Sequence, residues 1–296
     1  MRLAIYSRLL KEKDQQYVQD LFDAIYTLDC FPHVYGPYFE QITHKLDIKS
    51  PITVFETHQE LVEQEIDFLI TLGGDGTILE ALTLKQDADI PVMGINLGRL
   101  GFLASIDKEN IHQAIQSLIN GAYITDYRTL LQLESNKPLF GKNNFALNDF
   151  TILKRDTSSM IIVHTYINGE FLNSYWADGI ILSTPTGSTG YSLSCGGPII
   201  YPNSGNFVIT PVAPHNLNVR PFVIPDDCVV SFEIEGRAEH FLCTLDSRFE
   251  QIDSTHHIAI RKADFGVKLV RSLNRNFLST IRDKLFWGHD VRNYSS

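Results

Sequence analysis

Cysteine is scarce in this sequence and nowhere paired. Its four residues, Cys30, Cys195, Cys228 and Cys243, are scattered without a Cys-x-x-Cys spacing. That excludes a zinc ribbon and a disulfide framework and fits reduced thiols in a cytoplasm. Long hydrophobic runs are missing too: no stretch approaches the ~18 uninterrupted apolar residues of a membrane span. The opening Met1-Arg2-Leu3-Ala4-Ile5-Tyr6-Ser7-Arg8 holds too short an apolar run for a signal peptide. Positive charge is in the minority, 25 basic against 35 acidic residues, for a net charge of −10. This balance argues against a primary role on nucleic acid or an anionic membrane. A soluble, cytoplasmic protein with neither of those partners is expected. There is no internal repeat and no low-complexity segment, and 296 residues suffice for two ordinary domains.

What is present starts with Gly73-Gly74-Asp75-Gly76-Thr77, directly after the apolar run Phe68-Leu69-Ile70-Thr71-Leu72. A short apolar run ending in glycines reads as a buried strand entering a tight loop. Successive N–H groups of such a loop make a concavity for phosphate oxygens. Thr77 is read as the start of a helix over Ile78-Leu79-Glu80-Ala81-Leu82, whose N-terminus favours negative charge. Neither a Walker loop nor a G-x-G-x-x-G fingerprint fits, because no lysine follows until Lys85 and an acid sits inside the loop. A carboxylate repels phosphates, so Asp75 is useless to a site that only holds them. It becomes useful where it accepts a proton from an attacking hydroxyl or helps to hold a metal ion, which points to phosphoryl transfer.

The first ~120 residues alternate strand and helix patterns, with strands at 3–6, 68–72 and 91–96 and amphipathic helices at 15–28 and 108–119. Such alternation makes a parallel sheet covered by helices, with ligands at the carboxyl ends of the strands. From about residue 124 short strand candidates follow one another, at 127–133, 146–153, 160–167, 179–183, 229–234 and 257–261, and Asn168-Gly169 signals a hairpin. The expected fold is an α/β N-terminal domain with a parallel sheet over 1–122 and a β-rich, sandwich-like C-terminal domain over 123–275. The final helix, 276–296, is expected to return to the first domain.

The segment Asp178-Gly179-Ile180-Ile181-Leu182-Ser183-Thr184-Pro185-Thr186-Gly187-Ser188-Thr189-Gly190-Tyr191-Ser192-Leu193-Ser194-Cys195-Gly196-Gly197-Pro198 decides the reading. Its loop is dense in hydroxyls and glycine, able to donate to ribose or phosphate oxygens, and Tyr191 offers a ring for stacking. Together with the Gly73–Thr77 loop, Asn96-Leu97-Gly98-Arg99-Leu100-Gly101-Phe102, Ala146-Leu147-Asn148-Asp149, Pro214-His215 and Arg220-Pro221, it makes the chain resemble the NAD kinases. The likeness runs from about Asp67 to the C-terminal helix, and it implies a two-domain NAD kinase-like fold.

The resemblance implies transfer of the γ-phosphoryl of ATP to the 2′-hydroxyl of the adenosine ribose of NAD, with Asp75 as the base. Gly73, Gly74, Gly76 and Thr77 would shape the cradle for donor and diphosphate, and Phe102 would pack on the adenine side. Asn148 and Asp149 match an Asn-Glu pair near the ribose and diphosphate, one methylene shorter here. Asp178 matches an acid at the nicotinamide end. Thr189, Tyr191 and Ser194 match positions around adenine and ribose, Thr186 lies in the same loop, and Ala213 would line the same pocket. Asp246-Ser247-Arg248 matches a family turn only roughly, and no role is carried to Arg248. Mg²⁺ is expected with ATP rather than on His215, His256 or His257, and the family implies a homodimer or homotetramer. Two alternatives share features of the sequence: a lipid kinase of the diacylglycerol-kinase type and a non-catalytic dinucleotide sensor.

Overall fold

The structure is a computed structural model that describes residues 1–98, 101–155, 159–273 and 276–287. Its contacts divide the chain into two units: Met1–Tyr127 with the chain from Val267, and Arg128–Gly266.

The first unit runs β1 (Arg2–Tyr6), α1 (Gln15–Thr27), β2 (Phe31–Tyr35), α2 (Gly36–Ile42), β3 (Thr53–Phe55), α3 (His58–Glu63), β4 (Phe68–Gly73), α4 (Asp75–Lys85), β5 (Val92–Asn96), β6 (Ile106–Asp107) and α5 (Ile111–Ile119). Its strands lie in the order β5-β4-β1-β2-β3, all parallel. Strands buried on both faces read as continuous apolar runs, as Leu3, Ala4 and Ile5 do. The apolar face of α1, Val18, Leu21, Phe22 and Ile25, meets Leu3, Ile5 and Ile70 of the sheet and Ile111, Ile115 and Leu118 of α5 in one core. Each such side chain contributes roughly 1.5–3 kcal/mol on burial. The strand order reverses between β1 and β4, which opens a crevice at their carboxyl ends.

The second unit is entered through β7 (Ile124–Ser135). There follow β8 (Phe145–Ala146), β9 (Asp149–Lys154), β10 (Ile161–Ile167), β11 (Glu170–Ala177), β12 (Gly179–Ser183), α6 (Tyr191–Ser194), β13 (Asn206–Val212), β14 (Phe222–Pro225), β15 (Val230–Glu235), β16 (Phe241–Leu245), β17 (Arg248–Ile252) and β18 (Ile258–Arg271). One antiparallel sheet is ordered β14-β13-β12-β9-β16-β17, and a second layer runs β11-β10-β15-β18. Alternate residues of both layers, among them Phe150, Ile152 and Leu182 against Val163, Phe232 and Ile234, share one core. The rings of Phe150 and Phe232 stand 5.3 Å apart within it. This is sandwich packing. Asn168 and Gly169 take the left-handed backbone of a two-residue hairpin, with φ of 51° and 81°.

The last residues of β18, Leu269 and Val270, pair in parallel with Val92 and Met93 of β5. They lead to α7 (Phe277–Leu285), which opens on a capping box of Asn276 and Ser279 and buries Ile281. The α/β unit with a parallel sheet and the antiparallel β unit are the fold class read from the sequence. Among the described residues no helix is long and apolar enough to cross a membrane.

Candidate active site

In the first unit β4 delivers the glycine-rich loop to the carboxyl edge of the sheet. Gly73 ends β4, Gly74 is the N-cap of α4, and the helix begins at Asp75, two residues before the start read at Thr77. The early start follows from the Thr77 N–H, which already donates to the Gly74 carbonyl at 3.0 Å. Gly74 and Gly76 are exposed, and Gly73, Asp75 and Thr77 are half-buried. A cavity of about 380 Å³ is lined by Gly73, Gly74 and Thr77 of this loop, with Arg8, Lys11 and Lys13 also on its wall.

Asp75 does not cap its own helix. Its carboxylate turns instead to a segment about 27 residues downstream. Oδ2 accepts the N–H of Phe102 at 2.8 Å, and Oδ1 accepts those of Leu103 and Ala104 at 3.1 and 3.0 Å. Gly101 permits this approach, because a Cβ there would lie 1.8 Å from Oδ1. A carboxylate has about four acceptor positions; these bonds take three and leave one, on Oδ2. Phe102 is half-buried, its ring 6.5 Å from that of Phe277. Arg99 and Leu100 of the same motif lie outside the described residues.

In the second unit the candidates gather along β12. Its last residue, Ser183, pairs with Asp149, and the hydroxyl-rich loop follows. Thr184 donates its N–H to the Asn148 carbonyl at 2.9 Å and its Oγ1–H to that of Leu147 at 2.6 Å. Ser188 Oγ donates to the Pro185 carbonyl at 2.6 Å and accepts the Ile200 N–H at 2.9 Å. Both side chains are fully buried. These two hydroxyls, read from the sequence as ligand donors, therefore hold the loop in shape instead. Gly187 lets the loop lie on Asn148, whose carbonyl oxygen would stand 2.1 Å from a Cβ there. Thr186 is buried and accepts from Arg128 Nη1 at 3.5 Å, Thr189 is half-buried, and Tyr191 and Ser194 are exposed.

Asp178 precedes the other end of β12, five residues away at about 3.3 Å each. Its N–H donates to the Val212 carbonyl at 2.9 Å, and its carboxylate pairs with Lys154 at 2.5 Å. Ala213, next to Val212, is exposed and left-handed, with φ of 45°. Tyr191 stands within electrostatic reach of both ends. Burial first, then the Cys195, Asp149 and Asp178 charges, push its phenol up.

Asp149 is buried, and its carboxyl is pushed up to about 7 by burial and by the neighbouring Asp246. Asp246 takes left-handed backbone, φ 52°, and aims its carboxylate at three successive amides. It accepts the N–H of Leu147 at 2.9 Å, Asn148 at 2.7 Å and Asp149 at 3.3 Å. The residue as a whole is half-buried, yet its carboxyl group is enclosed enough for desolvation to raise it against those three bonds and Arg248. This explains why the strand read as 146–153 is two pieces, β8 and β9: the amides between them leave the ladder for Asp246. Arg248 fastens the preceding stretch, donating to the carbonyls of Asn143 and Phe145 between the rings of Phe140 and Phe145. The roles of both residues were missed from sequence, where only the turn was visible. His256 bonds Asp253 at 2.9 Å and His257 is exposed, both in a turn ahead of β18.

Residues 29–123 match the profile of the ATP-NAD kinase N-terminal domain, and 147–272 that of the ATP-NAD kinase C-terminal domain. The chain is 48% identical over 294 residues to an NAD kinase of Cytophaga hutchinsonii, spanning 99% of this chain and 100% of that one. It is 43% identical over 295 residues to an NAD kinase of Flavobacterium johnsoniae, again with 99% and 100% coverage. Its fold resembles that of yeast NADH kinase complexed with NADH, with a TM-score of 0.88 at 24% identity over 98% of this chain and 88% of that one. An NAD kinase from Archaeoglobus fulgidus in complex with ATP gives a TM-score of 0.75 at 24% identity, over 97% and 99%. With both domain profiles in order and relatives matched end to end, the chain belongs to the NAD kinase family.

Proposed function

We propose that this enzyme moves the γ-phosphoryl of ATP to the 2′-hydroxyl of the adenosine ribose of NAD, giving NADP and ADP, with Asp75 as general base. The observation that carries the assignment is the open acceptor position on Asp75 Oδ2, in a carboxylate whose other positions are fixed by three N–H groups. The O2′–H proton passes to that oxygen as the O2′–Pγ bond forms and the bond from Pγ to the bridging oxygen of ADP breaks. Orientation of the base is the protein's main contribution to such a loose transition state. The donor's phosphates are assigned to the cavity lined by Gly73, Gly74 and Thr77, with Gly76 in the same loop, and Arg8, Lys11 and Lys13 on its wall supply positive charge.

NAD is held by the second unit: Asn148 and Asp149 toward ribose and diphosphate, Thr186, Thr189, Tyr191, Ser194 and Ala213 along the loop side, and Asp178 at the nicotinamide end. Phe102 adds an adenine contact. Mg²⁺ accompanies ATP and compensates its charge. Among the described residues no group of three or more ligand-type side chains gathers to hold a metal alone, so phosphate oxygens and water make up most of its shell. Neither the lipid-kinase nor the sensor alternative draws support from the relatives.

A cytoplasmic homodimer or homotetramer is the proposed form. Its support is the apolar exposure on two strands that end their sheets, Phe171 and Trp176 on β11 and Phe222 and Val223 on β14; light scattering measures the subunit count. The catalytic test is purified protein with Mg-ATP and NAD, read by an NADP-specific dehydrogenase, beside Asp75→Asn. NADP from the wild type and almost none from a variant that still binds NAD is the expected result. Near-normal turnover by the variant would remove Asp75 from the role.

A further inference from the structure

Asp178, assigned to the nicotinamide end of the dinucleotide, does not stand alone. Strands β9 and β12 run antiparallel with Leu153 opposite Gly179, so the next pair outward is Lys154 and Asp178. The Lys154 N–H donates to the Asp178 carbonyl at 2.9 Å, and its ammonium meets Asp178 Oδ1 at 2.5 Å. The two side chains are 24% and 35% exposed, so water screens the pair only in part. Backbone and side chain together hold the ammonium on the carboxylate.

The surroundings keep this balance. Lys154 also lines a cavity of about 650 Å³, whose wall includes the exposed ring of Trp176. The other charged side chains on that wall, Glu235 and Arg237, are one of each sign, so with Asp178 the charges cancel. A nicotinamide ring is a cation in NAD and neutral in NADH, while the rest of the dinucleotide is the same. A lone carboxylate at that end favours the oxidised form; a carboxylate with its charge cancelled does not. One uncompensated charge about 6 Å from the ring, at a dielectric between those of water and of a protein surface, changes the affinity roughly tenfold.

We infer that Lys154 sets the redox specificity of the dinucleotide site: it cancels the charge of Asp178, so that NAD and NADH are bound alike. The inference rests on Asp178 lying at the nicotinamide end. Lys154 is a positioning residue, acting on the ring through Asp178.

Calorimetry on the full chain, with NAD and with NADH as ligands, tests this. The wild type is expected to bind the two within about threefold of each other, and Lys154→Gln should prefer NAD by about tenfold. Asp178→Asn should prefer NADH by about three- to tenfold, because the ammonium then stands uncompensated. A Lys154→Gln ratio equal to that of the wild type, with the Asp178→Asn ratio changed, overturns the role of Lys154. Equal ratios in all three proteins, each still binding NAD, overturn the placement of Asp178 at the nicotinamide end and the inference with it, which is a separate failure. Should Lys154→Gln not fold, wild type and Asp178→Asn decide between them. A reversal toward NADH in Asp178→Asn supports the compensation. A wild type that favours NAD by about tenfold or more, levelled in Asp178→Asn, overturns it.

Discussion

Asp75 in the first unit and Asp246 in the second are braced alike: each accepts the N–H groups of three consecutive residues, Phe102 to Ala104 in one case and Leu147 to Asp149 in the other. Their surroundings differ. Asp75 is flanked by the exposed Gly74 and Gly76, with Gly101 pressed against it, and one acceptor position on Oδ2 is left over. Asp246 is enclosed beside a clamped Arg248 and the buried Asp149, so its bonds serve the backbone. Bracing by amides alone therefore does not mark a catalytic acid.

The sharpest way to break this comparison is to remove the charge from each carboxylate. Asp75→Asn should lower kcat by about 10²–10⁴-fold while NAD affinity stays within threefold, about what a positioned base contributes. A coupled assay and calorimetry read the two quantities. Asp246→Asn should act on folding first, costing about 3 kcal/mol through its lost amide bonds. That corresponds to a melting midpoint lower by roughly 6–12 °C. If Asp75→Asn melted as early as Asp246→Asn and kept its turnover, the two sites would be one kind of brace.

Asp149 sharpens the contrast through pH. Its folded-state value near 7 lies above the ordinary 3.8, so between those values the folded protein keeps a proton that the unfolded chain has released. Stability of the free enzyme should fall as pH rises through that window, and denaturant midpoints at successive pH values measure it. Ionised Asp149 is the better acceptor for a ribose hydroxyl, so NAD affinity should rise from about pH 6 to about pH 8. Asp149→Asn should flatten both profiles. The smallest effect is expected at exposed Ser194, whose hydroxyl makes a 3.5 Å contact to the Gly190 carbonyl. Ser194→Ala should raise KM for NAD by about two- to fivefold with kcat unchanged.

Local patterns carried much of this into view before the fold was known. The run 68–72 and its glycines placed Asp75 at a strand end, because a buried parallel strand is a continuous apolar run. The alternation of short strands after residue 124 likewise reported a sandwich. Long-range partners were illegible. Nothing near Asp75 in sequence announces Phe102 to Ala104, and nothing near Asn148 announces Asp246. The inward turn of the Thr184 and Ser188 hydroxyls was equally hidden, since a hydroxyl looks the same whether it faces a ligand or a carbonyl. Strands β2 and β3 escaped for a local reason: Pro32 interrupts one, and Thr53 and Val54 of the other are exposed.

The course of β18 has a consequence for how the chain is made. Val92 and Met93 of β5 pair with Leu69 and Ile70 of β4 on one side, and on the other side their partners are Leu269 and Val270. A ribosome adding about 5–20 residues per second needs roughly 10–35 s to supply them. Throughout that interval the first unit has most of its strands but an unpaired edge, while the second is still emerging. A nascent chain halted at Gly266 would leave that edge open for good, a template for pairing with its neighbours on the same message.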